Sequence, residues 1–214
     1  MKKLLLFCIV IVTVLTAAAQ RIEVRFDKDF STDSLLNKTM GGGASFIIDG
    51  WHPNLDFQIN VDYVGHRGKT DYKYFDWTTY KVGSSQRINK VKAGVSALYT
   101  HPLGQYFHIR VGGDVSYNLI KKVVSDHNDT LFVSSKSGTF STTYRAHMLG
   151  IGAIVQVQVQ LGKLFRLGVG ITPTYLIPLS QKVSVPDKEP CFNKGIFDFQ
   201  LHIGLEIKLN NNDN

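Results

Sequence analysis

Cysteine is almost absent from this sequence: Cys8 and Cys191 are the two in 214 residues. Cys8 falls in an apolar stretch that reads as a removable leader, so the mature chain keeps one thiol and can form no intrachain disulfide. A single cysteine also excludes a Cys/His zinc pattern, and Cys191 reads as an unpaired loop thiol with nothing to activate it. After the leader no apolar run reaches about eighteen residues, so the chain has no helical membrane span. Basic residues outnumber acidic ones, 24 to 17, but no run of five Lys or Arg occurs, so no nucleic-acid surface is suggested. There is no G-x-S-x-G elbow, no His-Glu-x-x-His pair and no phosphate loop. The sequence thus offers no catalytic, cofactor or metal-ligating motif.

What is present begins with a leader. Lys2 and Lys3 precede an apolar stretch from Leu4 to Leu15, and Ala17, Ala18 and Ala19 fit a small-residue cleavage site. This three-part pattern is a secretory signal peptide over residues 1–19, with Gln20 as the first mature residue. Cleavage removes two lysines and lowers the formal charge from +7 to +5.

The mature chain is dominated by alternation. From Leu149 to Leu161 the odd positions are Leu, Ile, Ala, Val, Val, Val and Leu, interleaved with Gly150, Gly152, Ile154, Gln156, Gln158 and Gln160. Phe165, Leu167, Val169 and Ile171 continue the apolar set against Arg166, Gly168 and Gly170. Period two is the signature of a strand with one apolar face, and Leu161 paired with Phe165 leaves a three-residue connection over Gly162–Leu164. The same pattern predicts strands over 20–30, 39–51, 55–63, 91–99, 107–117, 149–161, 165–179 and 197–209, followed by a polar tail at 210–214. The register of the second, around Gly41, Gly42 and Gly43, suggests a bulge.

Connections alternate between long and short. His52–Asn54, His101–Gln105 and Gly162–Leu164 are short, whereas 31–38, 66–87, 121–142 and 180–194 are long. A transmembrane barrel sorts its connections in this way, with short periplasmic turns and longer outside loops. The expected fold is therefore all-β: an eight-stranded antiparallel up-and-down transmembrane β-barrel over residues 20–209.

The signal peptide, the eight amphipathic strands and the closing run from Phe197 through Phe199, Leu201, Ile203, Leu205 and Ile207 to Leu209 resemble small outer-membrane β-barrel proteins. The pattern is most similar to the outer-membrane β-barrel domain family of Bacteroidetes, which includes PorT-like secretion accessories. The resemblance implies location in the outer membrane and a non-enzymatic role. Some barrels of this size are lipid A deacylases with a His-x-Ser pair, and none of the seven histidines here is followed two places later by Ser. One departure is that Leu209 is followed by Asn210–Asn214 rather than by a terminal aromatic.

In the membrane order the polar face fills the lumen. That face carries Asp56, Asp62, Lys92, His108, Arg110, Asp114, Arg166, Asp198, His202, Glu206 and Lys208 among glycines at 94, 112, 150, 152, 168, 170 and 204. An eight-stranded interior is just wide enough for its own side chains, so an ion-pair network should plug it. Aromatics at 51, 63, 99, 107, 117, 165, 175 and 197 are expected as interfacial girdles. The alternative is a soluble lipocalin-like barrel with the order reversed and an apolar ligand inside. A lipid-modifying enzyme is a further alternative.

The connections hold the candidate contact surface. Tyr72, Tyr74, Phe75, Trp77 and Tyr80 crowd the 66–87 segment, and rigid aromatics of this kind anchor binding surfaces. Asp126, His127 and Asp129 are neighbours on a turn and read as solvated residues. Asp33-Ser34-Leu35 and Asp129-Thr130-Leu131 resemble the O-glycosylation sites of exported Bacteroidetes proteins. The expected partners are outer-membrane lipid and a protein met at the outside loops or the periplasmic face, with no nucleic acid.

Overall fold

The structure, a computed structural model, describes residues 20–33, 36–49, 52, 54–75, 80–130, 139–184, 192 and 194–209, with side chains left aside at 69–75, 80–84, 126–130 and 139–140. The expected signal peptide, Trp51, Trp77, Cys191, the polar tail and parts of both glycosylation-like triplets lie outside those residues.

Eight strands follow one another around a closed barrel: β1 (Arg21–Ser31), β2 (Met40–Asp49), β3 (Leu55–Phe75), β4 (Tyr80–Leu103), β5 (Phe107–Thr130), β6 (Thr139–Leu161), β7 (Phe165–Val183) and β8 (Ile196–Lys208). Every neighbouring pair is antiparallel, and β1 closes the ring against β8 from Arg21↔Lys208 to Ser31↔Asp198. Closure leaves no unpaired edge within the ring, which a bilayer interior requires.

All three expected short connections are short, although β2 ends at Asp49 and β3 begins at Leu55, so the first holds five residues rather than the three of His52–Asn54. Leu161 pairs with Phe165, and Leu103 pairs with Phe107 around an equivalent turn, so β4 runs three residues into the connection expected at His101–Gln105. Gly104 and Gly162 each open their turn at φ +83° with nothing within 4 Å of an added Cβ. Backbone conformation rather than space therefore selects glycine there. The expected bulge in β2 is absent: its register is continuous against both β1 and β3. Its glycines serve close approach instead, since a Cβ on Gly42 would meet the Arg25 carbonyl oxygen at 2.8 Å.

Two of the long connections are largely strand. β3 and β4 stay paired to Phe75↔Tyr80, and β5 and β4 to Tyr80↔Thr130, so most of 66–87 and 121–142 is a sheet. β3 to β6 are 21 to 24 residues long while β1, β2 and β8 have 11, 10 and 13. One side of the barrel therefore rises well above the other at the end opposite the short turns. Alternation failed to show this because it reports a face buried in apolar surroundings, and a sheet wet on both sides has none.

The faces are ordered as in a membrane barrel. Val24, Val95, Val115, Ile151, Val157, Val169 and Ile203 are exposed on the outside, while the buried side chains on the inside are mostly polar. A lipocalin-like barrel would show the reverse. Phe107 and Tyr117 on β5, like Phe165 and Tyr175 on β7, stand ten residues apart with apolar or small residues between them on the outer face. Ten residues span roughly 33 Å of strand, or roughly 23 Å of height at a tilt of about 45°. That matches an apolar band about 25 Å tall between aromatic girdles.

Candidate functional site

The barrel interior is built from three layers. Nearest the turns, Arg21 reaches Asp49 and Asp56 at 2.5 Å each and Glu206 at 3.3 Å. Arg110, with no exposed surface, bridges the same two acids, Asp56 and Glu206, at 3.2 Å and 3.0 Å. Arg166 adds a third cation to Glu206 at 3.4 Å while its Nε donates to Gln160 at 2.6 Å. Thr100 donates to Asp56 and Gln158 donates to Glu206, so both carboxylates are held by several donors.

The middle layer is a chain of hydrogen bonds. Glu23 accepts from Gln58 at 3.3 Å and from Gln156 at 2.6 Å. Arg25 pairs with Asp62 and donates to Asn60, whose amide donates to Ser96 at 2.7 Å. Ser96 donates to Asp114 at 2.8 Å, and Lys92 meets the same carboxylate at 3.0 Å. Above it Lys90 lies between Asp29 at 2.7 Å and Asp198 at 2.5 Å, with Thr39 donating to Asp29 as well.

Glycines make room for these groups. A Cβ on Gly204 would fall on the Glu23 carboxylate, and one on Gly170 would fall on the ring of His202. The glycine-rich polar face is thus a packing requirement of a lumen this narrow.

The third layer is apolar and closes the end away from the turns. Leu36, Ile88, Ile120, Ala146, Met148, Leu176, Phe192 and Ile196 form one buried cluster. Leu36 comes from a single helical turn (Leu36–Lys38) after β1, fastened where the Thr39 backbone N–H donates to the Leu36 carbonyl at 3.0 Å. Phe192 comes from the connection between β7 and β8, where its backbone exchanges two hydrogen bonds with the side chain of Gln181. At the turn end the interior instead opens into a cavity of about 560 Å³ lined by Arg21, Asp49, Asp56, His108, Lys163 and Arg166 among others.

The lumen residues expected from sequence are brought together. Asp56, Asp62, Lys92, Arg110, Asp114, Asp198, His202 and Glu206 are buried, while His108, Arg166 and Lys208 are half-buried at the cavity. Sequence reading missed the contribution of β1, where Arg21, Glu23, Arg25, Asp27 and Asp29 all point inward and are buried, and it missed Lys90. The signal was there in β1, a charge at every second position. Lys90 lay one residue before the strand that alternation marks.

The aromatic candidates are placed by backbone alone. Tyr72, Tyr74 and Phe75 belong to the far end of β3 and Tyr80 opens β4, at the top of the tall side, so they stand on a hairpin rather than a loop. Asp126, His127 and Asp129 likewise lie in β5. No group of three or more His, Cys, Asp or Glu among the described residues is arranged to hold a metal ion.

No family model matches the chain, and no curated protein matches it. Solved structures do. A major outer membrane protein from Thermus thermophilus is 17% identical, with 87% of this chain and 98% of that one covered and a TM-score of 0.57. Neisserial surface protein A is 17% identical over 88% and 95% of the two chains, at a TM-score of 0.47. The N-terminal β-barrel domain of Pseudomonas aeruginosa OprF is 13% identical over 88% and 98%, at a TM-score of 0.34. The likeness to the Thermus protein is one of fold, and it agrees with the apolar exterior, the girdle spacing and the charged interior. The chain is an eight-stranded, antiparallel, up-and-down transmembrane β-barrel.

Proposed function

We propose that this protein is a non-enzymatic outer-membrane barrel that acts through contact made by its tall side. One observation carries the reading: the interior is filled and capped, while β3 to β6 project a paired sheet far above the apolar band. A filled lumen leaves little to conduct, and a projecting sheet is of use only to something outside. In the outer membrane the short turns face the periplasm and the tall side faces out. Tyr72, Tyr74, Phe75, Trp77 and Tyr80 are the contact residues, because rigid aromatic side chains order at low entropic cost on binding.

The test is attachment by cells displaying the protein, with Tyr74, Phe75 and Trp77 changed together to Ser. Attachment to host or bacterial surfaces should fall while the mobility shift between unboiled and boiled gel samples persists. Undiminished attachment by the folded variant would refute the contact reading. Loss of the mobility shift would make these residues structural instead.

A second reading, a secretion accessory of PorT-like kind, is favoured by the cavity at the turn end, which would lie open to a periplasmic partner. A deletion strain separates the two: impaired protein export supports the accessory role, impaired attachment the contact role.

A further inference from the structure

Five outward-facing cations run side by side around the wall at the tall end. Arg67 of β3 stands directly opposite Arg87 of β4. Lys121 of β5 stands opposite Asn89 of β4 on one side and Arg145 of β6 on the other. Arg145 is in turn opposite Lys182 of β7. All five are exposed, and none enters an ion pair with a described acid. Like charges directly opposite one another on a sheet repel. Three such pairs within five strands are a standing cost unless an anion lies among them.

Their height says which anion. Arg67 follows Tyr63 by four residues and Lys121 follows Tyr117 by four. Four residues are roughly 13 Å of strand, or about 9 Å of height at a tilt of about 45°, and this is headgroup depth beyond an aromatic girdle. The cations also face sideways from the barrel, in line with the apolar band beneath them. They cannot fold inward, because the residues next to them, Ile88, Ile120 and Ala146, fill the apolar cap.

We propose that this ladder binds the phosphate groups of phosphorylated lipid headgroups in the leaflet around the tall end. Arginine and lysine on neighbouring strands offer several donors within the reach of one phosphate, and charge-assisted bonds of this kind are the strong ones. A soluble polyanion would be met at the hairpin tips rather than on a sideways face bordering acyl chains. The inference rests on the membrane-spanning reading and adds to it a selectivity for lipid.

The experiment compares the refolded wild-type chain with an Arg67→Gln, Arg87→Gln, Lys121→Gln, Arg145→Gln variant in phosphatidylcholine vesicles. The vesicles carry a minor fraction of diphosphoryl lipid A or of its dephosphorylated form, and the lipid retained per barrel is counted after mild solubilisation. The wild type should retain the diphosphoryl lipid at least about fivefold over the dephosphorylated form, which corresponds to ~1 kcal/mol for one cation near an anionic surface. The folded variant should retain the two within about twofold. Equal retention by the wild type overturns the proposal without need of the variant, and so does undiminished selectivity in the variant. If inorganic phosphate removes the selectivity, the site is one for a free anion and the lipid assignment fails. Quenching of a dye at position 155 by brominated acyl chains, measured on the same samples, tells the two failures apart. Quenching without selectivity refutes the ladder alone, and no quenching refutes the membrane reading with it.

Discussion

Arg110 offers the sharpest test of the filled lumen. Its guanidinium has no exposed surface and touches three acceptors: Asp56 at 3.2 Å, Glu206 at 3.0 Å and Gln156 at 3.3 Å. Arg110→Met keeps most of the volume and removes the charge, leaving two buried carboxylates less well held. Breaking a buried pair from one side costs about 3–5 kcal/mol. Arg21 still reaches both acids and Arg166 still reaches Glu206, so the loss belongs at the low end, about 3 kcal/mol. Adding Glu206→Gln removes the stranded charge as well, and most of the loss should return. The assay is urea unfolding in detergent followed by the gel-mobility shift, at low and at high salt. A buried pair is screened little, so the loss should hardly change with salt. A loss below about 1 kcal/mol, typical of exposed pairs, would refute the argument. So would a double variant no more stable than the single one.

Other expectations follow from the same geometry. Planar bilayers containing the protein should show no steady conductance, because side chains fill the lumen and Leu36 and Phe192 help to cap it; reproducible channels of porin size would contradict this. With Cys191 changed to Ser, a dye on Val155→Cys should be strongly quenched by brominated acyl chains and one on Lys163→Cys in the turn should not, and equal signals would dismiss the apolar exterior as a lipid surface. Val155→Arg should destabilise by about 2–4 kcal/mol, as expected for a charge near the bilayer midplane. Gly162→Ala should cost about 1–2 kcal/mol through its positive φ, with no contribution from crowding, so Gly162→Asn should be milder than Gly162→Ala in the same urea assay.

Period two in the sequence located all eight strands and, outside β1 and β2, the face that each turns inward, because within the apolar band every strand separates two unlike environments. Val155 meets the outside while Gln156 meets Glu23 and Arg110, and one chain cannot satisfy both without alternating. Where that contrast ends the signal ends, although the strand does not. β5 continues to Thr130 and β3 to Phe75 on backbone pairing alone, and residues such as Lys122, Ser125, Lys69 and Thr70 carry no alternation to report it. The cap was hidden for another reason. Leu36 and Phe192 lie in segments that look like loops, and only the closed ring shows that both come to rest above the same lumen.

The band's upper limit can be located from the point where polarity changes sides. On β4, Lys90 faces in and Val91 faces out, whereas two residues further along Ile88 faces in and Arg87 faces out. On β5 the change falls between Asn118, buried, with Leu119 outside, and Ile120, buried, with Lys121 outside. On β6, Gly150 and Leu149 give way to Ala146 and Arg145. Pairing brings the three crossovers within two residues of one another, since Ile120 is opposite Lys90 on one side and Ala146 on the other. Below that level the wall is apolar outside and charged inside, as a bilayer requires; above it the wall has the polarity of a soluble protein. A soluble barrel would have no reason to change its polarity partway up, and a membrane surface gives it one. The tyrosines at 63 and 117 and the cation ladder follow each other across that same boundary, which is why ring, charge and cap all sit within a few residues of one another on neighbouring strands.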